Sequence, residues 1–364
     1  MFGIKKEGVK IRIFIFIVIM VGGSIVFKAA SAKEIISIYN WEDYLSPALI
    51  SEFEQQTGAE VKLDFFQSYD EMLNRISSPD HGVDIFFPAN HMIQALIKDK
   101  LIARVTPSVF AGFENIDDGW RFPYYDPYGE YSLPFHWGTT AIQVDDAVIK
   151  DIVKENGESL SLIFNPPVSL RGRIGLLYET DETVSMALHY LGLPSCADRP
   201  EQMERLRVLF SSLVGAVVIM KDPLLPQLLA ETTVVRMAWN GDALRAREKR
   251  PSLRYIYPRE GALVWADAIV VAQNAPHPDL ARKFMAFMLD ARRVAAQTNF
   301  TRYANAIRDS EKYIDPVLLT APEVAIPASA KLHFYHGCSA KTTAIHEAFW
   351  SEMREILQKN QRKE

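Results

Sequence analysis

From residue 35 onward, short apolar runs alternate with amphipathic segments, and that alternation confines the chain to an α/β architecture built on strands with helical connections. IISIY (35–39) reads as a buried strand. Ser46 then offers an N-cap with Pro47 at the first helical position, Leu49, Ile50 and Phe53 recur at helical spacing, and Gly58 closes the helix. VKLDFF predicts a second strand and SYDEMLNRI a helix, with Ser68 and Glu71 spaced as a capping box. VDIFFPA predicts a third strand and HMIQALIKDK a further helix.

WRFPYYDPYGEYSLPFHW (120–137), rich in aromatics and turn residues, reads as a loop that separates this unit from the next. The same grammar then resumes with RIGLLYE, TDETVSMALHYLG, VVRMAW and NGDALRAREKR as strand, helix, strand and helix. LRYIYP and ALVWADAIVVA predict further strands, and PDLARKFMAFMLDARRVAAQ one long helix. There is no Gly/Ser-rich tether between the halves. Two lobes joined by strand-like crossings fit this pattern better than two beads on a string.

With 364 residues, 48% of them hydrophobic and 11% aromatic, the chain can supply two cores. The first thirty-two residues are different. Lys5, Lys6, Lys10 and Arg12 precede IFIFIVIMVGGSIVF, and small residues follow at Ala30 and Ala32, the pattern of a secretory signal peptide cleaved after Ala32. An uncleaved membrane anchor is the alternative. This segment holds five basic residues against Glu7, so its removal leaves the remainder more acidic than the formal −5 of the whole chain. An acidic exported protein is a poor nucleic-acid partner and a plausible host for cations. Cys196 and Cys338 are the two cysteines, and an oxidising compartment permits either a disulfide or two separate thiols. Without CxxC or HExxH, no metal or other cofactor is expected.

In open α/β sheets ligands collect off the carboxyl ends of strands, and one theme repeats at those positions here. Trp41, Asp43 and Tyr44 follow the first strand; Glu179, Asp181 and Glu182 follow RIGLL; Trp239 and Asp242 follow VVRMA; Trp265 and Asp267 lie within ALVWADAIVV. Taken singly, the acids near helix starts fit capping or dipole roles of about 0.3–1 kcal/mol, and each tryptophan fits ordinary packing. Together they suit an organic cation, whose ammonium groups take charge-assisted hydrogen bonds while its methylenes lie on indole faces. Several carboxylates in one cleft repel one another unless a polycation compensates them, which favours two or more positive charges on an apolar spacer.

These segments resemble the bacterial periplasmic spermidine/putrescine-binding proteins of polyamine ABC transporters. YNWEDY with FEQQTG, VDIFFPAN, LPFHWGTTAI, AWNGDA, YPREGALVWADAIVVAQNA and RYANA stand in the family's order along essentially the whole mature chain. The resemblance implies a two-lobed periplasmic-binding-protein fold, each lobe a mixed sheet flanked by helices. Lobe 1 is then expected over 33–141 with 266–312, and lobe 2 over 142–265 with 313–364. It implies a periplasmic monomer that captures a polyamine between its lobes and delivers it to the permease subunits of an importer, with no catalysis and no nucleic acid. Trp41, Tyr44 and Asp43 would line one wall, Glu179 and Glu182 would receive amines, Trp239 would stack on the ligand, Asp267 would bind an amine beside Trp265, and Tyr303 of RYANA matches a cleft tyrosine. After the third strand the family's Ser and aromatic are replaced by PANHM, which offers Asn90 or His91. Trp265 looks like the spermidine type, Asp43 and Asp242 like the putrescine type, so the ligand's length stays open. The competing readings are a binding protein for another small organic cation and an enzyme on the same fold with a cysteine nucleophile.

Overall fold

The computed structural model describes residues 1–3 and 33–359, so the expected signal segment lies, apart from its first three residues, outside the described residues. Among the described residues, no helix is long and apolar enough to cross a membrane.

Among the described residues, eleven strands form one mixed sheet: β1 Ile35–Asn40, β2 Glu60–Phe65, β3 Ile85–Phe86, β4 Ser132–Asp145, β5 Ile174–Leu177, β6 Val217–Met220, β7 Val235–Trp239, β8 Leu253–Ile256, β9 Ala262–Val271, β10 Ala304–Asn305 and β11 Leu332–Phe334. The order is β2-β1-β3-β9-β4-β7-β5-β6, with β8 and β10 added on β4 and β11 on β9. β1 pairs in parallel with β2 and β3, and β5 in parallel with β6 and β7, as expected for strands joined by helical crossovers. The middle of the sheet is antiparallel, β9 on β3 and β4, and β4 on β7.

Two apolar cores flank that middle. One gathers Ile36, Ile38, Phe53, Phe86 and Phe284; the other gathers Phe164, Leu176, Met186, Phe210 and Trp350. β4 gives Leu133 and Phe135 to the first core and Ala141, Ile142 and Val144 to the second. β9 runs the opposite way, with Ala262 and Leu263 in the second core and Ile269, Val270 and Val271 in the first. Both long strands are therefore shared by the two cores.

Local chemistry accounts for the element ends. Ser46 precedes the helix Pro47–Thr57, and Gly58 ends it at φ 74, a left-handed conformation that favours glycine. Ser68 Oγ accepts from Glu71 N at the start of the helix Tyr69–Ile76. The expected long helix after β9 is instead two, Pro278–Phe287 and Ala291–Thr301, because the Asp290 carboxylate accepts from the N–H groups of Arg292 and Arg293 and starts a new helix. The expected loop over 120–137 ends early: β4 begins at Ser132. Pro134 sits at a register shift between Pro134 and Trp137, where its missing N–H is tolerated and a strand can continue past it. Tyr125, within that expected loop, is buried. Cys196 and Cys338 form a disulfide across 142 residues of sequence, which overturns the alternative of two separate thiols.

Candidate functional site

The carboxyl end of β1 delivers Trp41 and Tyr44 into a cavity between the two cores. Trp41 meets Phe66 and Tyr69 edge-on, with centroids at 4.3 and 5.2 Å, and lies 6.3 Å from Trp239. Trp239, at the end of β7, packs against both cores. The cavity measures about 570 Å³ out to its open mouth.

Two glycines hold the walls close. A Cβ on Gly241 would fall 2.6 Å from Tyr303 Cε1, and one on Gly138 would fall 2.7 Å from Trp265 Cζ2. In WNG, then, the glycine lets Tyr303 pack close against the start of the helix Asn240–Lys249. Asn240 joins the same helix to β4 by accepting from Thr139 N at 3.0 Å.

At one end of the cavity stand two acids. Asp267, in β9, accepts from Tyr44 Oη at 2.5 Å. Burial pushes it up to about 7; the Tyr44 bond opposes the shift and the Glu182 charge adds to it. Glu182, in the first turn of the helix Thr180–Tyr190, accepts from Trp239 Nε1 at 3.3 Å, while its Oε2 is buried with no partner. Burial, then the neighbouring Asp181 carboxylate, pushes it up to about 7 as well.

The other end carries a network. Asp242 accepts from Tyr303 Oη at 2.6 Å and from Arg245 Nη1 at 3.3 Å. Arg245 Nη2 donates to Asp43 Oδ2 at 3.0 Å. Asp43 has φ 56 and precedes the helix start at Pro47 by several residues, so it is paired rather than capping. Asp222, just beyond β6, has a buried Oδ2 without a partner, and burial followed by the Asp242 charge pushes it up to about 8.

Nine of the twelve residues expected at a site line this cavity: Trp41, Asp43, Tyr44, Glu182, Trp239, Asp242, Trp265, Asp267 and Tyr303. Three lie elsewhere. Asn90 is a buried stitch that donates to Tyr335 O and accepts from Ala266 N. His91 pairs with Asp181 Oδ2 at 2.7 Å in an adjoining small cavity that shares Tyr69, Glu182 and Trp265. Burial would lower its pKa, but the Asp181 carboxylate outweighs that and raises it. Glu179 opens onto a separate groove beside Glu347 and Arg354, and burial pushes it well above the usual carboxylate range.

Tyr69, Asp222 and Arg245 line the cavity without having been expected there. The signals existed: Arg245 stands one helical turn after Asp242, Asp222 ends an apolar strand, and Tyr69 follows the second strand. The disulfide leaves no free thiol, which removes the cysteine-nucleophile alternative. What remains is a set of carboxylates among indole and phenol side chains, a composition suited to an organic cation.

Two cores sharing long strands, with a cavity between them, define a two-lobed binding protein. Residues 48–325 match the family of bacterial extracellular solute-binding proteins, and the chain belongs to that family. Among its relatives is a putrescine/agmatine-binding protein of Pseudomonas aeruginosa, 25% identical over 350 residues and spanning 92% of this chain and 95% of that one. Another is the spermidine/putrescine-binding periplasmic protein of Escherichia coli, 27% identical over 275 residues, covering 74% and 77%. Among solved structures, one described as a candidate spermidine/putrescine ABC transporter from Listeria monocytogenes superposes with a TM-score of 0.81 at 22% identity, covering 88% of this chain and 99% of that one. That likeness establishes the fold.

Proposed function

We propose that the protein is a periplasmic receptor for a polyamine, which it captures in the cavity and passes to the permease subunits of an ABC importer. Lobe 1 comprises 33–141 with 266–312 and lobe 2 comprises 142–265 with 313–364; the two cores support this division apart from Ala141, which packs in the second core, and a small cluster of Leu244, Ala295, Ile314, Leu318 and Ala321 that joins the two lobes. It works as a monomer after loss of its signal segment, and it carries out no chemistry on its cargo.

One observation carries the reading: half-buried Glu182 and buried Asp267, two acids poised near 7, face one cavity walled by Trp41, Trp239 and Trp265. Buried carboxylates of this kind are destabilised by each other's charge and relieved by an ammonium, which converts them to ionised hydrogen-bond acceptors. The indole faces supply the complementary surface for a methylene chain, about 0.5–2 kcal/mol for each cation–π contact. Relatives named for putrescine, agmatine and spermidine support the same cargo class.

Calorimetric titration with putrescine, cadaverine, spermidine and spermine tests it. Saturable binding of at least one, weakened about tenfold by Trp239→Ala, is the expected result. Binding of none, or turnover of any amine seen by mass spectrometry, overturns it.

A further inference from the structure

One end of the cavity already contains a cation. Arg245 contacts Asp242 and Asp43 at 3.3 and 3.0 Å, and its side chain is only 18% exposed. Burial disfavours the guanidinium charge, yet the two carboxylates outweigh it and hold the group above its ordinary value. The acids that the amino-acid sequence offers as ammonium ligands at this end are thus satisfied by the chain itself. Unpartnered buried oxygens remain at two other places along the cavity, Glu182 Oε2 and Asp222 Oδ2.

We infer that Arg245 is a built-in cation that limits how many ammonium groups the cavity accepts, so that it selects diamines over longer, more highly charged polyamines. This rests on the polyamine reading above. A diamine can place one ammonium with Glu182 and Asp267 and the other at Asp222, so that Glu182 Oε2 and Asp222 Oδ2 each gain a partner they lack. A third ammonium is left with exposed Glu42 at the mouth, where water screens the charge, or with Asp43 or Asp242, where it meets the guanidinium. Displacing Arg245 instead strips a partly buried charge of both its partners, which is unfavourable in a low-dielectric site.

The test is a calorimetric comparison of putrescine and spermidine on the wild-type protein and on Arg245→Gln, which keeps polar atoms and removes the charge. The wild type is expected to favour putrescine, and Arg245→Gln to raise the spermidine-to-putrescine affinity ratio by about tenfold. Arg245→Lys, which keeps the charge, is expected to leave the ratio near the wild-type value. A wild type that favours spermidine, or a ratio unmoved in Arg245→Gln, overturns the inference; a residue acting only as a tie across the cavity would weaken both amines alike. Melting curves without amine report whether each variant folds. If Arg245→Gln does not, Asp43→Asn decides: added net positive charge is expected to move the ratio further against spermidine, and an unmoved ratio overturns the inference. A wild type that takes neither amine overturns the polyamine reading instead.

Discussion

The Trp239 indole donates to one oxygen of Glu182 at 3.3 Å and leaves the other oxygen bare inside the protein. The tryptophan thereby does two things at once: it presents a face to the cavity and fixes the carboxylate's orientation. Glu182 is held half-neutral at physiological pH by burial, first, and by Asp181. The amine's arrival is expected to complete its ionisation.

Protons should therefore leave when the amine binds. With Glu182 and Asp267 both near 7, roughly half a proton from each is released at pH 7 as the bound cation lowers their pKa values. Titrations in buffers of different ionisation enthalpy measure this directly, and affinity should fall as pH drops from 8 to 6. The effect on folding has the opposite sense. Both groups are raised above ordinary carboxyl values, so without ligand they contribute stability below about pH 4 that is lost as pH rises through 7. Buried His136, lowered to about 3, opposes them on the acid side, which makes proton release the cleaner reading.

Removing either charge should weaken diamine binding without unfolding the protein. Glu182→Gln and Asp267→Asn each delete one ionised acceptor, a change of about tenfold to a hundredfold in affinity by calorimetry. Glu179→Gln, in the neighbouring groove, should have a smaller effect than Glu182→Gln. Equal losses at all three positions would mean that the groove and the cavity act as one site.

The Cys196–Cys338 bond should matter to stability and not to recognition. Neither cysteine lines the cavity, although Cys338 lines the neighbouring groove, and the bond closes a long stretch of sequence, so replacing both cysteines by serine is expected to cost about 2–5 kcal/mol, read as a lower Tm. Amine affinity measured well below that Tm should stay within about twofold of the wild type.

Much of this site was legible because strand ends were legible. β1, β5 and β7 are short buried runs followed by clear helix starts, and the rule that ligands gather there led to Trp41, Glu182 and Trp239. Asn90 lies outside the cavity: an asparagine after a strand suits a ligand and a backbone stitch equally well, and here it bonds the backbone of Tyr335 and Ala266. Asp222 was missed because VVIM was not read as a strand, so its end was never inspected. Arg245 was missed for a different reason. A basic residue in an acidic cleft reads as an ordinary helix-surface charge until Asp43, 202 residues away in sequence, is placed beside it. β4 was partly read as loop because Pro134 is a strand breaker everywhere except at a bulge.

The long strands β4 and β9 belong to both cores at once. Any rocking of one core against the other must bend or twist this antiparallel pair, which stores the displacement elastically, as a leaf spring does. Its residues answer to stiffness, while those at the strand ends answer to cargo. On the polyamine reading, substitutions at positions such as 222 and 245 are expected to change amine preference without altering the stiffness of this strand pair.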